Sequence, residues 1–251
     1  METLKKGLLE EKADELRKDT FNLAIEYKDM HLASALSIVD ILTGLYESVL
    51  KKEDKFILSK GHGCISFYSL LRKKGYNPKI SAHPEINIEH GVNCTTGSLG
   101  HGLPMGAGIA FAKKFKNETG KVYVLMGDGE CQEGTVWESL NLASHHKLNN
   151  LVGIIDYNKI QALDRVENIL SLGNLKNKIE AFDWNVSEIN GHNLYEIVNS
   201  LNKNFEYKPH MIIAHTIKGK GLSFMENDPK WQSKFPNEEE INQAYRELNI
   251  K

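Results

Sequence analysis

Apolar residues recur at helical spacing through residues 3–28, interspersed with charge. They do so again in LASALSIVDILTGLYESVL (32–50), where Leu32, Leu36, Val39, Leu42, Tyr46 and Val49 fall at three- and four-residue steps. Both segments are expected to be amphipathic helices. The pattern changes in DKFILSKGHG (54–63), a short apolar run closed by glycines, expected as a strand ending in a loop. CISFYSLLRKKGY (64–76) returns to helical spacing and stops near a glycine. Residues 77–98 carry prolines, asparagines and glycines with little periodicity and are expected to form an ordered functional loop or loose coil rather than an element.

GLPMGAGIAFAKKF (102–115) reads as a helix of small residues suited to close packing. It is followed by a strand at KVYVLM (121–126), a helix over 134–147 and a strand at LVGIID (151–156). After a polar stretch come a helix near 175–182, the strand-like WNVSEI (184–189), a helix over 193–204 and a strand at HMIIAHTI (210–217). From Asp228 the chain is expected to be a polar surface tail with one terminal helix. Strands alternating with helices predict an α/β fold with a mostly parallel sheet, and one domain over 1–251.

Length and composition narrow the function. With 251 residues the chain suffices for one large core, and neither repeats nor low-complexity segments occur. Charge is balanced, 31 Lys and Arg against 33 Asp and Glu, without the basic stripe of a nucleic-acid binder. Cys64, Cys94 and Cys131 are odd in number, far apart and outside any C-x-x-C spacing, which argues against disulfides or zinc and for a cytoplasmic location. No segment approaches the roughly 20 apolar residues of a membrane span, so no membrane partner is expected.

The candidate chemistry lies in MGDGECQEG (126–134), directly behind the strand at 121–126. A lone Gly-Asp-Gly is usually only a tight turn before a helix. Here the parallel topology gives Asp128 a partner, because Asn158 in IIDYNKIQ follows the next strand and reaches the same sheet edge. A carboxylate and an amide oxygen suit a hard cation such as Mg²⁺, which completes its shell with phosphate oxygens and water. The flanking glycines and the following helix N-terminus favour an anion beside that cation. A metal-bound diphosphate is expected. TTGSLGHGLPMGAG (95–108) is not a dinucleotide fingerprint, since no strand precedes it.

GDGECQEGTVWESLNLASHHKLNNLVGIIDYNKIQ (127–161) resembles the thiamine diphosphate motif of transketolases, a GDG followed about thirty residues later by an asparagine. HLASALSIVDIL (31–42), LSKGHGCISFYSLL (58–71), HPE (83–85), GVNCTTGSLGHGL (91–103), FDWNVSEINGHN (182–193) and IKGKGLSFMENDPKW (217–231) are similar, in order and spacing, to segments of the transketolase N-terminal region. The resemblance implies the thiamine-diphosphate-binding fold, a mostly parallel sheet with helices on both faces. It also implies thiamine diphosphate with Mg²⁺ as cofactors, Ca²⁺ or Mn²⁺ being substitutes.

By the same resemblance, Asp128, Asn158 and the carbonyl of Ile160 hold the metal, and Gly129, Glu130 and Lys218 belong to the cofactor site. His31, His62 and His83 surround the thiazolium and the donor-sugar hydroxyls. Gly97, Ser98 and Leu99 present backbone groups to the aminopyrimidine, and Glu133 and Glu138 link paired active sites across a dimer. Two positions depart from the family pattern: Gln232 stands where a histidine is common and Asp164 where a glycine is usual.

The family's activating glutamate lies in a second domain absent from these residues. The resemblance therefore implies the N-terminal subunit of a split transketolase, joined to a pyrimidine-domain chain in a heterotetramer. Its expected reaction is transfer of a two-carbon ketol unit from a ketose, usually a phosphate, to an aldose. Another two-chain thiamine diphosphate carboligase acting on an unusual sugar, and a non-catalytic cofactor-binding module, are the alternatives.

Overall fold

The computed structural model describes residues 2–162 and 164–250. Its elements, in chain order, are α1 (Glu2–Tyr27), α2 (Leu32–Leu36), α3 (Val39–Ser48), β1 (Lys55–Leu58), α4 (Cys64–Lys73), α5 (Gly102–Phe115), β2 (Val122–Gly127) and α6 (Gly134–His145). They continue with β3 (Leu151–Tyr157), α7 (Val166–Leu170), α8 (Leu175–Ala181), β4 (Asn185–Asn190), α9 (Leu194–Leu201), β5 (His210–His215) and α10 (Glu238–Glu247). The strands lie in the order β1-β2-β3-β5-β4, and every pairing is parallel.

A parallel sheet must be covered on both faces, and the strands show it by alternation. Along β2, Tyr123 and Leu125 join one core while Val122, Val124 and Met126 join the other. Strand β5 does the same, with Ile212 and Ala214 against Met211 and Ile213. Helices α1, α2, α3, α4 and α9 fill the first face, and α5, α6 and α8 the second. The small residues of α5 serve the close approach expected of them: a Cβ on Gly106 would collide with the side chain of Val124.

Two differences from the sequence-based expectations have physical causes, and one open alternative is decided. The helix expected over 32–50 divides into α2 and α3, because Ile38 leaves helical geometry (φ −106°, ψ 1°) and Ser37 turns its hydroxyl to Asp156 Oδ2, 2.7 Å away. Of the two readings open for 77–98, the loop takes the ordered one. Asn87 and Val92 exchange backbone hydrogen bonds of 2.9 Å, and Thr96 Oγ1 donates to the carbonyl of Leu58 at 2.7 Å. The residues after Asp228 are not merely a surface tail, since Trp231, Ala244 and Leu248 are buried in the first core. Helix α10 has the expected polar exterior and starts on a capping box between Asn237 and Glu240.

His210, at the start of β5, is 2% exposed and bonds Ser187 Oγ through Nε2 at 2.9 Å, while Nδ1 has no partner among the described residues. Burial first, then Lys203 and Lys121, push its pKa down from 6.5 to about 3. The unfolded chain therefore takes up a proton that the folded one refuses, so the stability tied to this ring is complete above the unfolded pKa and falls as pH drops towards the folded one. At pH 5 the loss is expected to be about 2 kcal/mol relative to pH 8. Urea titrations across this range should show that slope in the native chain and a flatter one in His210→Gln.

Candidate functional site

Because all strands run parallel, their C-terminal ends share one edge, where the chain leaves each buried strand and places polar residues. After β1 come Ser59, Lys60 and His62; after β2, Asp128 to Glu130; after β3, Asn158 to Gln161; after β5, Thr216 to Lys218. Together with His31, His83, Gly97, Leu99 and Gln232 these ends enclose a cleft of about 280 Å³.

The cleft rests on a buried polar network that was not singled out from the sequence. Asp156, the penultimate residue of β3, is 0% exposed and accepts hydrogen bonds from Lys60 Nζ, Thr216 Oγ1, Ser37 Oγ at 2.7 Å and Asn158 Nδ2 at 2.9 Å. Four separate segments are thereby fixed on one carboxylate. Burial alone would raise the Asp156 pKa, but the Lys60 ammonium and the hydroxyl donors hold it below the ordinary carboxylate value. Asn158 is oriented by this network: its amide nitrogen serves Asp156, and its Oδ1 accepts from the N–H of Ile160 at 3.0 Å.

Glu130 plays a similar part beneath the glycine-rich turns. Its carboxylate accepts from Ser59 Oγ, from Gly100 N at 2.8 Å and from Gly127 N at 3.2 Å, joining the loops after β1 and β2 to the turn before α5. That turn brings Gly97 against His83. Gly97 has φ +141°, and a Cβ there would stand 3.0 Å from His83 Cδ2.

Unlike Asp156, Asp128 has no ion pair among the described residues. It is 2% exposed and accepts from the N–H groups of Gly129, at 2.8 Å, and Lys159. Burial, followed by repulsion from Asp156, raises its pKa to about 7. Lys218 shows the converse. Burial and the neighbouring Lys60 ammonium lower its pKa to about 7, although Nζ donates to Ser34 Oγ at 3.1 Å and to Gln232 Oε1. A cation beside Asp128 and an anion beside Lys218 would each restore the charged form. The residues therefore fit a metal-bound anion. Among the described residues no group of three or more His, Cys, Asp and Glu side chains could hold a metal. A cation here would complete its shell with other oxygens, as Mg²⁺ does.

The histidines differ from one another. His62 has a pKa well below its ordinary value because of burial, then Lys60 and Lys218, so its ring is neutral. His31 is held by the carbonyl of Gln232, 2.7 Å from Nδ1. A carbonyl only accepts, so Nδ1 carries the proton and the neutral ring keeps Nε2 as an acceptor. His31 and His62 meet edge to face at 5.6 Å between ring centres. His83 is exposed at the cleft.

The structure does not bring every expected residue into the cleft. Ser98, Glu133 and Glu138 lie outside its lining and are exposed or partly so. Asp164 bonds the N–H of Arg165 at 2.6 Å and the amide of Asn168 at 2.8 Å at the start of α7, a local role. A larger cavity of about 540 Å³ borders Arg17, Asp40 and His192, but these three are bonded to one another, so the smaller cleft is the chemical one.

Residues 10–251 match the family described as transketolase, thiamine diphosphate binding domain. The chain belongs to the transketolase family. It is 36% identical over 265 residues to a subunit of the apulose-4-phosphate transketolase of Phocaeicola vulgatus, covering 96% of this chain and 94% of that protein. It is 35% identical to the 6-deoxy-6-sulfo-D-fructose transketolase subunit SqwG of a Clostridium species, covering 87% and 88%. The crystal structure of transketolase from Campylobacter jejuni superimposes with a TM-score of 0.86 at 31% identity, covering 98% of this chain and 43% of that one. The chain thus spans less than half the length of the solved transketolases it matches, while the two relatives named as subunits are about its own size. The α/β architecture expected from the sequence is the one these transketolases share.

Lys60→Met would leave the Asp156 carboxylate buried without its cation. Loss of one partner from such a pair is expected to lower stability by about 3–5 kcal/mol. Urea denaturation at neutral pH measures it, and a change within about 0.5 kcal/mol, typical of an indifferent surface site, would contradict the role given to the pair.

Proposed function

We propose that this chain is the diphosphate-binding subunit of a two-chain transketolase, moving a two-carbon ketol unit from a ketose, usually a phosphate, to an aldose acceptor. The observation that carries this reading is the meeting of Asp128, Asn158 and Lys218 in one cleft, a site for a cation and an anion side by side. A second chain would complete the walls of this cleft of about 280 Å³. Relatives named as subunits, and matched over nearly their whole length, support the same division.

The roles proposed here join the arrangement of the cleft to the family resemblance. Asp128, the Asn158 side chain and the carbonyl of Ile160 would hold Mg²⁺, for which Ca²⁺ or Mn²⁺ would serve. Gly129 offers an approach free of a side chain. Lys218 has two protons committed to Ser34 and Gln232 and a third left for a diphosphate oxygen. Glu130 shapes the turns beneath the cofactor. Gly97 and Leu99 present backbone to it, and Ser98 stands outside the lining. When bound, thiamine diphosphate supplies the electron sink for carbon–carbon bond cleavage and formation.

This chain's own task is to position the sugar and move protons. His31 offers Nε2 as an acceptor to a donor hydroxyl, His62 binds as a neutral ring, and exposed His83 meets the part of the sugar nearest the opening. Glu133 and Glu138, outside the cleft, are available to the partner assembly, a heterotetramer of two copies of each chain. The relatives are named for different sugars, apulose-4-phosphate in one case and 6-deoxy-6-sulfo-D-fructose in another, so the sugar is where members of this group are expected to differ.

Purification of the chain from its native cells, with Mg²⁺ and thiamine diphosphate present, is expected to bring a stoichiometric companion identifiable by mass spectrometry. Ketol transfer is expected only when both chains are present. A chain that comes out alone and binds cofactor without turnover in any mixture is a cofactor-binding module instead. Asp128→Ala is expected to abolish Mg²⁺-dependent uptake of thiamine diphosphate, measured by calorimetry. Unchanged affinity would remove Asp128 from the metal site.

A further inference from the structure

Outside the cleft, three polar side chains form a closed network in the first core. Arg17 on α1 donates from Nη2 to both carboxylate oxygens of Asp40 on α3, at 3.0 Å each. The same guanidinium donates from Nη1 to the carbonyls of Leu36, at 3.1 Å, and Lys220, at 2.9 Å. Asp40 Oδ2 stands 2.6 Å from His192 Nδ1, and His192 Nε2 lies 2.8 Å from the backbone nitrogen of Ile217. A backbone N–H only donates, so Nε2 must be the bare acceptor and Nδ1 the donor to Asp40.

The two backbone groups at the ends of this network flank Lys218. Ile217 is held through its N–H and Lys220 through its carbonyl, while Gly219 N donates to the carbonyl of Ala33 at 2.9 Å between them. Arg17 also packs against the loop: a Cβ on Gly221, which has φ +98°, would collide with Arg17 Cδ. Lys218 itself is 1% exposed and lines the cleft. Fixing the backbone on both sides sets the direction in which the side chain leaves it, and the bonds of Nζ to Ser34 and Gln232 hold its far end. It also lowers the ordering cost of binding an anion there.

We infer that Arg17, Asp40 and His192 are positioning residues that aim the Lys218 ammonium at the anion held in the cleft. The inference rests on the cofactor-holding role proposed for Lys218. None of the three lines the cleft, so they act through the loop 217–221. The chain of bonds from Asp40 to His192 to Ile217 sets the ring's tautomer, and the tautomer sets the loop.

The test is a double-mutant cycle on the full chain, together with any chain that co-purifies with it. It is read by calorimetric titration with thiamine diphosphate plus Mg²⁺ and with inorganic diphosphate plus Mg²⁺. Lys218→Met sets the scale of losing the ammonium. His192→Leu removes the acceptor for Ile217 and is expected to raise Kd for both probes about 5- to 10-fold. His192→Gln, whose Oε1 can take the same N–H, should recover most of that loss. In the Lys218→Met background, His192→Leu should change Kd by less than about 2-fold, because its effect passes through the missing ammonium.

Equal losses in both backgrounds would show that the network only maintains the fold, and no loss in either would show that the loop needs no support. Each result overturns the inference. Thermal melts of every variant accompany the titrations. If His192→Leu does not fold, Asp40→Asn takes its place in the cycle with the same expectations. A native chain that takes up neither probe would instead overturn the cofactor role of Lys218, and the inference would fall with it.

Discussion

The buried contact between Lys60 and Asp156 is the constraint on which the site depends. A carboxylate with no exposure at the end of a central strand is costly unless it is paired and its remaining lone pairs are satisfied. Satisfying it draws in Ser37, Thr216 and Asn158, and with them the segments that follow α2, β5 and β3. The break between α2 and α3 follows from the same demand, because an uninterrupted helix would not deliver Ser37 as it does. The walls of the cleft are thus arranged around a group that itself lies beneath it. Ligand-binding edges of parallel sheets are built from loops, and here the loops are anchored to a common charge.

Above that anchor the electrostatics run in the opposite direction. Asp128 and Lys218 are buried without full compensation, and each is shifted towards its neutral form. Neither arrangement is one that folding alone would favour. Charge of the right sign from outside the chain relieves both. The paired groups at the base give rigidity, and the unpaired groups above them provide the attraction for a ligand. The histidines belong to the second layer, with His62 neutral and His31 directed by the carbonyl of Gln232.

Much of this was legible in the sequence, for reasons that differ from residue to residue. The alternation of apolar strands and amphipathic helices pointed to the parallel sheet, and a parallel sheet places Asp128 and Asn158 on one edge whatever the details. Lys60 and Asp156 left a weaker signal, a charge directly after or at the end of an apolar run, which only the fold turns into a pair. The helix over 32–50 read as continuous because its apolar spacing is unbroken. What divides it is a bond from Ser37 to a residue 119 positions away. The segment after Asp228 read as surface because its composition is polar, yet Trp231 is buried and Gln232 reaches both His31 and Lys218. Interactions of long sequence separation escape local patterns by their nature.

That last contact bears on how the molecule is made. The bond between His31 and Gln232 spans 201 positions, so adjoining parts of the cleft wall come from distant parts of the sequence. Closing so long a loop costs entropy before any contact compensates it, and non-local contacts of this kind slow folding. During synthesis, most of the sheet can assemble on the ribosome while the cleft still lacks Gln232. This chain's share of the cleft wall is assembled only once residue 232 has emerged, so these residues offer their full set of contacts to a ligand only after that point of their synthesis.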